Sequence, residues 1–264
     1  RMIHLKANTT YMCRAVSGDL IGNEVTFTTG SATELPNGSF DYWNLAGKVW
    51  NPWPEGSENF WDTGNKGATT LGDSNTQPTD DTWSGTGQAA KLATKFVGIG
   101  SLGKLAAGNM YVGNYIRTDG SNGVLNFGKP FTQRPTRLKG YFKYTTVPIN
   151  KTNSDLTALM GQPDTCQIYI ALGDWSEPVE IRTKPSDRKV FDKNDPHVIA
   201  YAEISSGESV PEYTPFSLDL EYRDTSRVPT YIVVVASASK YGDYFTGGDG
   251  SVLFIDDFSL EYDY

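Results

Sequence analysis

Hydrophobic and polar positions alternate with a period of two over much of the second half of the chain. In 165–172, Cys166, Ile168, Ile170 and Leu172 alternate with Gln167, Tyr169 and Ala171. This predicts a strand with one row facing a core and the other facing a binding side. Residues 216–222 alternate in the same way, while 231–236 are apolar on both faces and predict a central strand. Further strands are predicted at 89–97, 137–144, 198–204 and 251–262. No stretch of a dozen residues carries a helical period of 3.6, and no internal repeat is present. The fold class expected is all-β: an antiparallel β-sandwich of about eight or nine strands, arranged as a jelly roll.

The first thirty residues also read as strands, at 3–6, 10–16 and 23–29, with Ser17-Gly18-Asp19 turning between the last two. Gly30-Ser31-Ala32-Thr33 has the composition of a short linker. The expected division is therefore 1–32 and 33–264. Between Glu34 and Trp83 periodicity is lost, and Trp, Asn, Gly and Pro are dense. Five of the six tryptophans fall here, at 43, 50, 53, 61 and 83. A long segment of this kind is expected to be a functional loop.

Composition narrows the function classes. The chain has 264 residues, enough to bury a large core without disulfides. Its formal net charge of −8 repels phosphate backbones and anionic membrane surfaces, so nucleic acid is not an expected partner. Cys13 and Cys166 are read as small buried hydrophobes of separate domains. No apolar run reaches the length of a membrane helix. The opening Arg1-Met2-Ile3-His4 falls inside a strand-like pattern and reads as the start of a processed or truncated product.

Several chemistries lack their residues. Gly98-Ile99-Gly100-Ser101-Leu102-Gly103 fits a dinucleotide loop pattern, but no helix follows to face a phosphate. Only His4 and His197 are present, too few for a histidine-built zinc site, and no G-x-S-x-G motif marks a serine hydrolase. Carboxylates are plentiful: Asp62, Asp164, Asp174, Glu180, Asp256 and Asp257 are all candidates for an acid–base pair, with Asp62 and Asp164 put first as catalytic candidates. The aromatic clusters are more telling. Phe40-Asp41-Tyr42-Trp43-Asn44, Asn59-Phe60-Trp61-Asp62-Thr63-Gly64-Asn65 and 108–115 mix flat rings with short polar groups. Rings stack on the C–H faces of sugars while amides, carboxylates and guanidinium groups bind hydroxyls. For any single tryptophan, packing at the end of the sandwich is the alternative reading. Oxygen-rich stretches near Glu34, Asn37 and Asp257 fit either a structural calcium or simple hydrogen bonding to loop amides.

Two resemblances add to this. Asn8-Thr9-Thr10-Tyr11, Arg14-Ala15 and 22–29 resemble the closing strands of an immunoglobulin-like or fibronectin type III-like domain, of which 1–32 would be an incomplete part. Residues 34–264 resemble the putative carbohydrate metabolism domain family, known mainly from Bacteroidetes. The resemblance is carried by 35–43, 60–65, 108–113, 134–144, 164–170 and Ile255-Asp256-Asp257-Phe258-Ser259-Leu260. The first and last of these segments also resemble the end strands of galactose-binding-like jelly rolls. The resemblance implies an immunoglobulin-like domain followed by a jelly roll with a carbohydrate pocket, in a secreted, periplasmic or outer-membrane lipoprotein setting.

The expected function is capture of a polysaccharide or oligosaccharide, by a monomer. Trp43, Trp61, Tyr111 and Tyr141 are expected to stack, and Asp62, Asn65, Asn109, Arg137 and Asp164 to bind hydroxyls. A glycoside hydrolase using a carboxylate pair is the first alternative. A structural or adhesive surface protein, whose tryptophans only pack, is the second.

Overall fold

The alternating segments form two stacked antiparallel sheets in the computed structural model, which describes residues 5–100, 103–153 and 155–263. The strands of the two sheets begin, in chain order, with β1 (Thr76–Thr79), β2 (Ala89–Ala93), β3 (Asn109–Asp119), β4 (Asn122–Phe127), β5 (Arg137–Thr145) and β6 (Cys166–Gly173). They continue with β7 (Val179–Arg182), β8 (Val198–Ser206), β9 (Val210–Asp219), β10 (Glu221–Tyr222), β11 (Tyr231–Ser237) and β12 (Val252–Glu261). The smaller sheet has the order β9-β5-β12-β2-β1. The larger has the order β7-β4-β3-β11-β6-β8-β10, with Trp61–Asp62 added against β3 and Lys129–Pro130 against β11. β11 lies between β3 and β6 and is central, as its unbroken apolar run requires.

The inward rows of the two sheets make the main core. Cys166, Ile168, Ile170 and Leu172 of β6 meet Leu138 and Phe142 of β5 and Leu253 and Ile255 of β12. Gly140 is needed in the middle of β5 because a Cβ there would lie 2.5 Å from the Phe258 ring and 3.0 Å from that of Phe216.

Three expectations about strands change. Residues 89–97 are not one strand. Thr94 is buried, its N–H donates to the Ser251 carbonyl at 2.8 Å, and its hydroxyl pairs with Ser239 Oγ at 2.6 Å. These bonds end β2, and Lys95–Val97 then pairs with Lys104–Ala106 around the glycine loop, of which Ser101 and Leu102 lie outside the described residues. Residues 216–222 are likewise divided. At buried Leu220, whose N–H donates to the Thr136 carbonyl at 2.9 Å, the chain passes from the smaller sheet to the larger. Finally, 108–115, read only as a ring-rich motif, is most of an eleven-residue strand, β3. Its Gly113 (φ +148°) breaks the alternation because the Asn126 carbonyl approaches to 2.0 Å of where a Cβ would stand.

The tryptophan-rich segment is ordered by packing. Leu35, Phe40 and Trp61 sit in the main core, with Trp43 and Phe60 against it. The N-terminal strands Thr10–Cys13 and Val25–Thr28 pair only with each other among the described residues, enclosing the small hairpin Val16–Ser17 with Leu20–Ile21. Cys13 is half-buried rather than buried, and Cys166 is in the core. Ile3 and His4, part of the first expected strand, lie outside the described residues. Among the described residues no helix is long and apolar enough to cross a membrane.

Candidate functional site: a cleft on the outer face of the larger sheet

The outward row of β6 is where polar and aromatic residues gather. Strand register sets a line across four strands: Tyr111 of β3 faces Val235 of β11, Val235 faces Tyr169 of β6, and Tyr169 faces Glu203 of β8. One step along, Asn109, Ser237 and Gln167 form a second line. Because neighbouring strands lie about 4.8 Å apart, these lines make a continuous floor. Two loops wall it: 190–193, which brings Phe191 against Tyr169 with ring centroids 5.2 Å apart, and 239–244, which brings Tyr241 and Tyr244. Together they enclose a cleft of about 330 Å³. A second hollow, bounded by Tyr115, Leu125 and Phe245, adjoins it and shares Asn109, Phe127 and Asp243 as lining.

Glu203 is the hub of the polar groups. Gln167 Nε2 donates to its Oε2 at 2.6 Å, and Lys193 Nζ to its Oε1 at 2.6 Å. Burial pushes this carboxyl up, but the hydrogen bonds from Lys193 and Gln167 outweigh burial and hold it below the usual carboxylate range. Asp243 has the opposite environment. Burial pushes its carboxyl up to about 6, against the opposing charge of Arg188. Arg188 binds Asp155 Oδ2 at 2.9 Å and lies over the Tyr244 ring at 4.5 Å, bracing that wall. The phenols of Tyr111 and Tyr169 are pushed well up, by burial first and then by nearby carboxylates including Asp243. Both keep their protons at neutral pH and can donate.

The expected site residues are divided by the structure. Asn109 lines the cleft; Tyr111 lies beneath its floor, 1% exposed with its hydroxyl donating to the Thr63 carbonyl at 3.5 Å, so its expected stacking role is corrected to a packing role. Tyr141 and Arg137 lie on the outer face of the smaller sheet, on the other side of the sandwich, where Arg137 pairs with Asp219 and Glu261. Trp61 is fully buried: its indole N–H donates to the Pro36 carbonyl at 2.8 Å, and Phe40, Phe60 and Phe258 pack edge-on around it. No ring face remains for a sugar, so its expected stacking role is corrected to a core role. Trp43, half-buried against the same core, donates to the Phe40 carbonyl at 2.7 Å.

The expected hydroxyl binders Asp62, Asn65 and Asp164 are buried and already hydrogen-bonded within the protein, Asp62 also to Lys66 Nζ at 3.3 Å. Asp62 accepts from the N–H groups of Thr63 and Tyr115 at 2.8 and 2.7 Å. Asn65 ties Trp50, Asn75 and Thr76 together through four hydrogen bonds of 2.7 to 3.1 Å. Asp164 accepts from Thr165 and Gly248 N–H and from Ser239 Oγ. Asp62 and Asp164 therefore do not meet as a catalytic pair, being held in separate hydrogen-bond networks. Nor do the residues near the expected calcium position converge. Glu34 accepts from Leu260 N–H at 3.4 Å, Asn37 holds Tyr42 and Pro52, and Asp257 holds the Trp83 indole. Among the described residues no three His, Cys, Asp or Glu side chains gather as metal ligands.

Sequence reading missed Gln167, Tyr169, Glu203 and the 239–244 wall as site residues. The outward row of 165–172 was the available signal for the first two.

Two stacked antiparallel sheets with a ring-lined, polar-floored cleft on one outer face define an antiparallel β-sandwich domain. The chain belongs to the putative carbohydrate metabolism domain family, whose model matches residues 39–261. It is similar in fold to the crystal structure of a putative glycoside hydrolase from Bacteroides thetaiotaomicron VPI-5482, at 23% identity and TM-score 0.65, over 96% of this chain and 78% of that one. A putative glycoside hydrolase from Bacteroides vulgatus ATCC 8482 is similar at 23% identity and TM-score 0.61, over 88% of this chain and 95% of that one. Among curated proteins none matches this sequence.

Proposed function

We propose that this domain binds carbohydrate in the cleft on the larger sheet, as part of polysaccharide capture or utilisation outside the cytoplasm. One observation carries the reading: the half-buried rings of Phe191, Tyr201 and Tyr241 and the polar groups of Gln167, Lys193 and Glu203 meet over the buried Val235–Tyr169 floor in a single solvent-reachable hollow. Ring surface from Tyr201, Tyr241 and Phe191 supplies stacking area. Gln167, Asn109, Lys193 and ionised Glu203 supply fixed partners for sugar hydroxyls. The description of the family supports the same class of ligand.

Calorimetry and a glycan array on the chain test this. A saccharide is expected to bind, and Gln167→Ala and Tyr201→Ala are each expected to weaken binding by roughly tenfold, about 1.4 kcal/mol. Absence of binding across plant, host and bacterial glycans, or full affinity in both variants, would reject the cleft.

A hydrolytic reading is favoured by one further observation: the cleft holds two carboxyls pushed in opposite directions, Asp243 up and Glu203 down. Such a split is the pattern that an acid and a base show in carbohydrate hydrolysis. Asp243 would give its proton to the departing glycosidic oxygen while a water attacks the anomeric carbon and passes its proton to ionised Glu203. Release of reducing sugar that disappears in both Asp243→Asn and Glu203→Gln supports it; binding without turnover removes it.

A further inference from the structure

Trp83 stands on the outer face of the smaller sheet, away from the cleft. Its ring lies parallel to that of Tyr141, with centroids 3.9 Å apart and planes 5° apart. The 80–88 segment that carries it is strapped to the sheet. Lys143 pairs with Asp81, the Tyr213 hydroxyl donates to the Asp81 carbonyl at 2.6 Å, and Gln88 N–H donates to Asp41 Oδ1 at 2.8 Å. The tryptophan itself is held twice more: its backbone N–H donates to Asp256 Oδ2 at 2.9 Å and its indole N–H to Asp257 Oδ2 at 2.8 Å. Asp257 has φ +48°, a left-handed conformation uncommon for a residue with a side chain, at the bulge that separates the Lys139–Ser259 and Tyr141–Asp256 pairs.

A ring that served only to cover the sheet would be enclosed by it. Trp83 is held by Asp257 at its indole N–H and by Asp256 at its backbone N–H, and the residue is still 45% exposed. One of its faces rests on Tyr141, so the open surface belongs to the other face and the outer edge. Beside it is a hollow of about 390 Å³ bounded by Lys139, Tyr141, Pro215, Asp257 and Ser259.

We infer that Trp83 and Tyr141 form a second saccharide-binding platform, on the face opposite the cleft, which takes a neutral hexopyranose unit of a polysaccharide chain. A pyranose offers a flat C–H face ringed by hydroxyls. The indole takes the C–H face by dispersion and burial of apolar surface. Lys139, Ser259 and Asp257 Oδ1, which accepts no hydrogen bond among the described residues, border the hollow and meet hydroxyls. Neutral sugars are indicated because the surrounding cations are already matched: Arg137 by Asp219 and Glu261, Lys143 by Asp81, and Lys139 by Glu261 at 3.6 Å. The stack is assembled before any ligand arrives, so little ordering is lost on binding. The platform stands whether or not the cleft binds sugar. If both do, one rigid sandwich engages two segments of polysaccharide, and avidity exceeds either affinity.

Oxidation of tryptophan by N-bromosuccinimide, followed by peptide mapping, tests this on the unmodified chain. Soluble mixed-linkage glucan, mannan and galactan serve as probes. Trp83 is expected to oxidise first in the free protein and to be protected by at least one probe. Protection should persist in Gln167→Ala and Tyr201→Ala, which alter only the cleft. Trp83→Ala should lower affinity for the protecting probe by roughly tenfold. Unchanged Trp83 oxidation with every probe overturns the proposal, as does loss of protection in the cleft variants or full affinity in folded Trp83→Ala. If Trp83→Ala does not fold, protection in the unmodified chain decides.

Discussion

Asp164 Oδ2 accepts a hydrogen bond from Ser239 Oγ at 2.5 Å, joining the segment that leads into β6 to the one that leaves β11. Gly248 N–H adds a second bond to the same oxygen, and Thr165 N–H bonds the other. The residue is fully buried.

Asp164 therefore acts as a knot in the fold, and its removal has a structural signature. Asp164→Ala strands buried donors and is expected to cost roughly 2–4 kcal/mol. Urea denaturation should show the loss as a lower midpoint.

Trp61 makes a parallel case among the rings. Trp61→Ala empties the contact with Phe40, Phe60 and Phe258 and leaves the Pro36 carbonyl without its indole donor. A loss of about 3–5 kcal/mol is expected. Thermal unfolding checks it, and a variant within 1 kcal/mol of the parent would contradict the core placement.

Gly140 leaves no room for even a methyl group. Gly140→Ala drives a Cβ into the Phe258 and Phe216 rings and should destabilise by about 1–3 kcal/mol. Phe258→Leu added to it, by freeing space, should recover part of the loss. Chemical denaturation of both variants reads the coupling.

Asp243 gives the chain a pH dependence of defined sign. Its folded carboxyl titrates at about 6, above the unfolded value near 3.9. The folded state then binds more protons between those values, so this group's contribution falls as pH rises from about 4 to 6. Asp243→Asn removes the effect. Its melting temperature should match the parent's near pH 3.5 and exceed it at pH 7, by roughly 1–3 kcal/mol of stability. A difference that does not vary with pH would contradict the buried environment of this carboxyl.

Period-two alternation made the fold class legible, because a strand with one buried face writes its rows directly into the chain. The row Cys166, Ile168, Ile170, Leu172 went to the core, and Gln167 and Tyr169 of the other row became the cleft floor. A central strand at 231–236 was legible for the same reason: burial on both faces leaves no polar positions. Composition also showed that flat rings and short polar groups abound. It did not show which of them meet. Trp61 and Trp83 read alike in sequence, yet one is enclosed by phenylalanines and the other left open on a sheet. Glu203 and Asp243 share a cleft because register and a returning loop bring together residues forty positions apart. Local pattern fixes which face a side chain takes on its own strand. The strands and loops that lie beside that face are set by long-range pairing, and so only the tertiary structure decides the site.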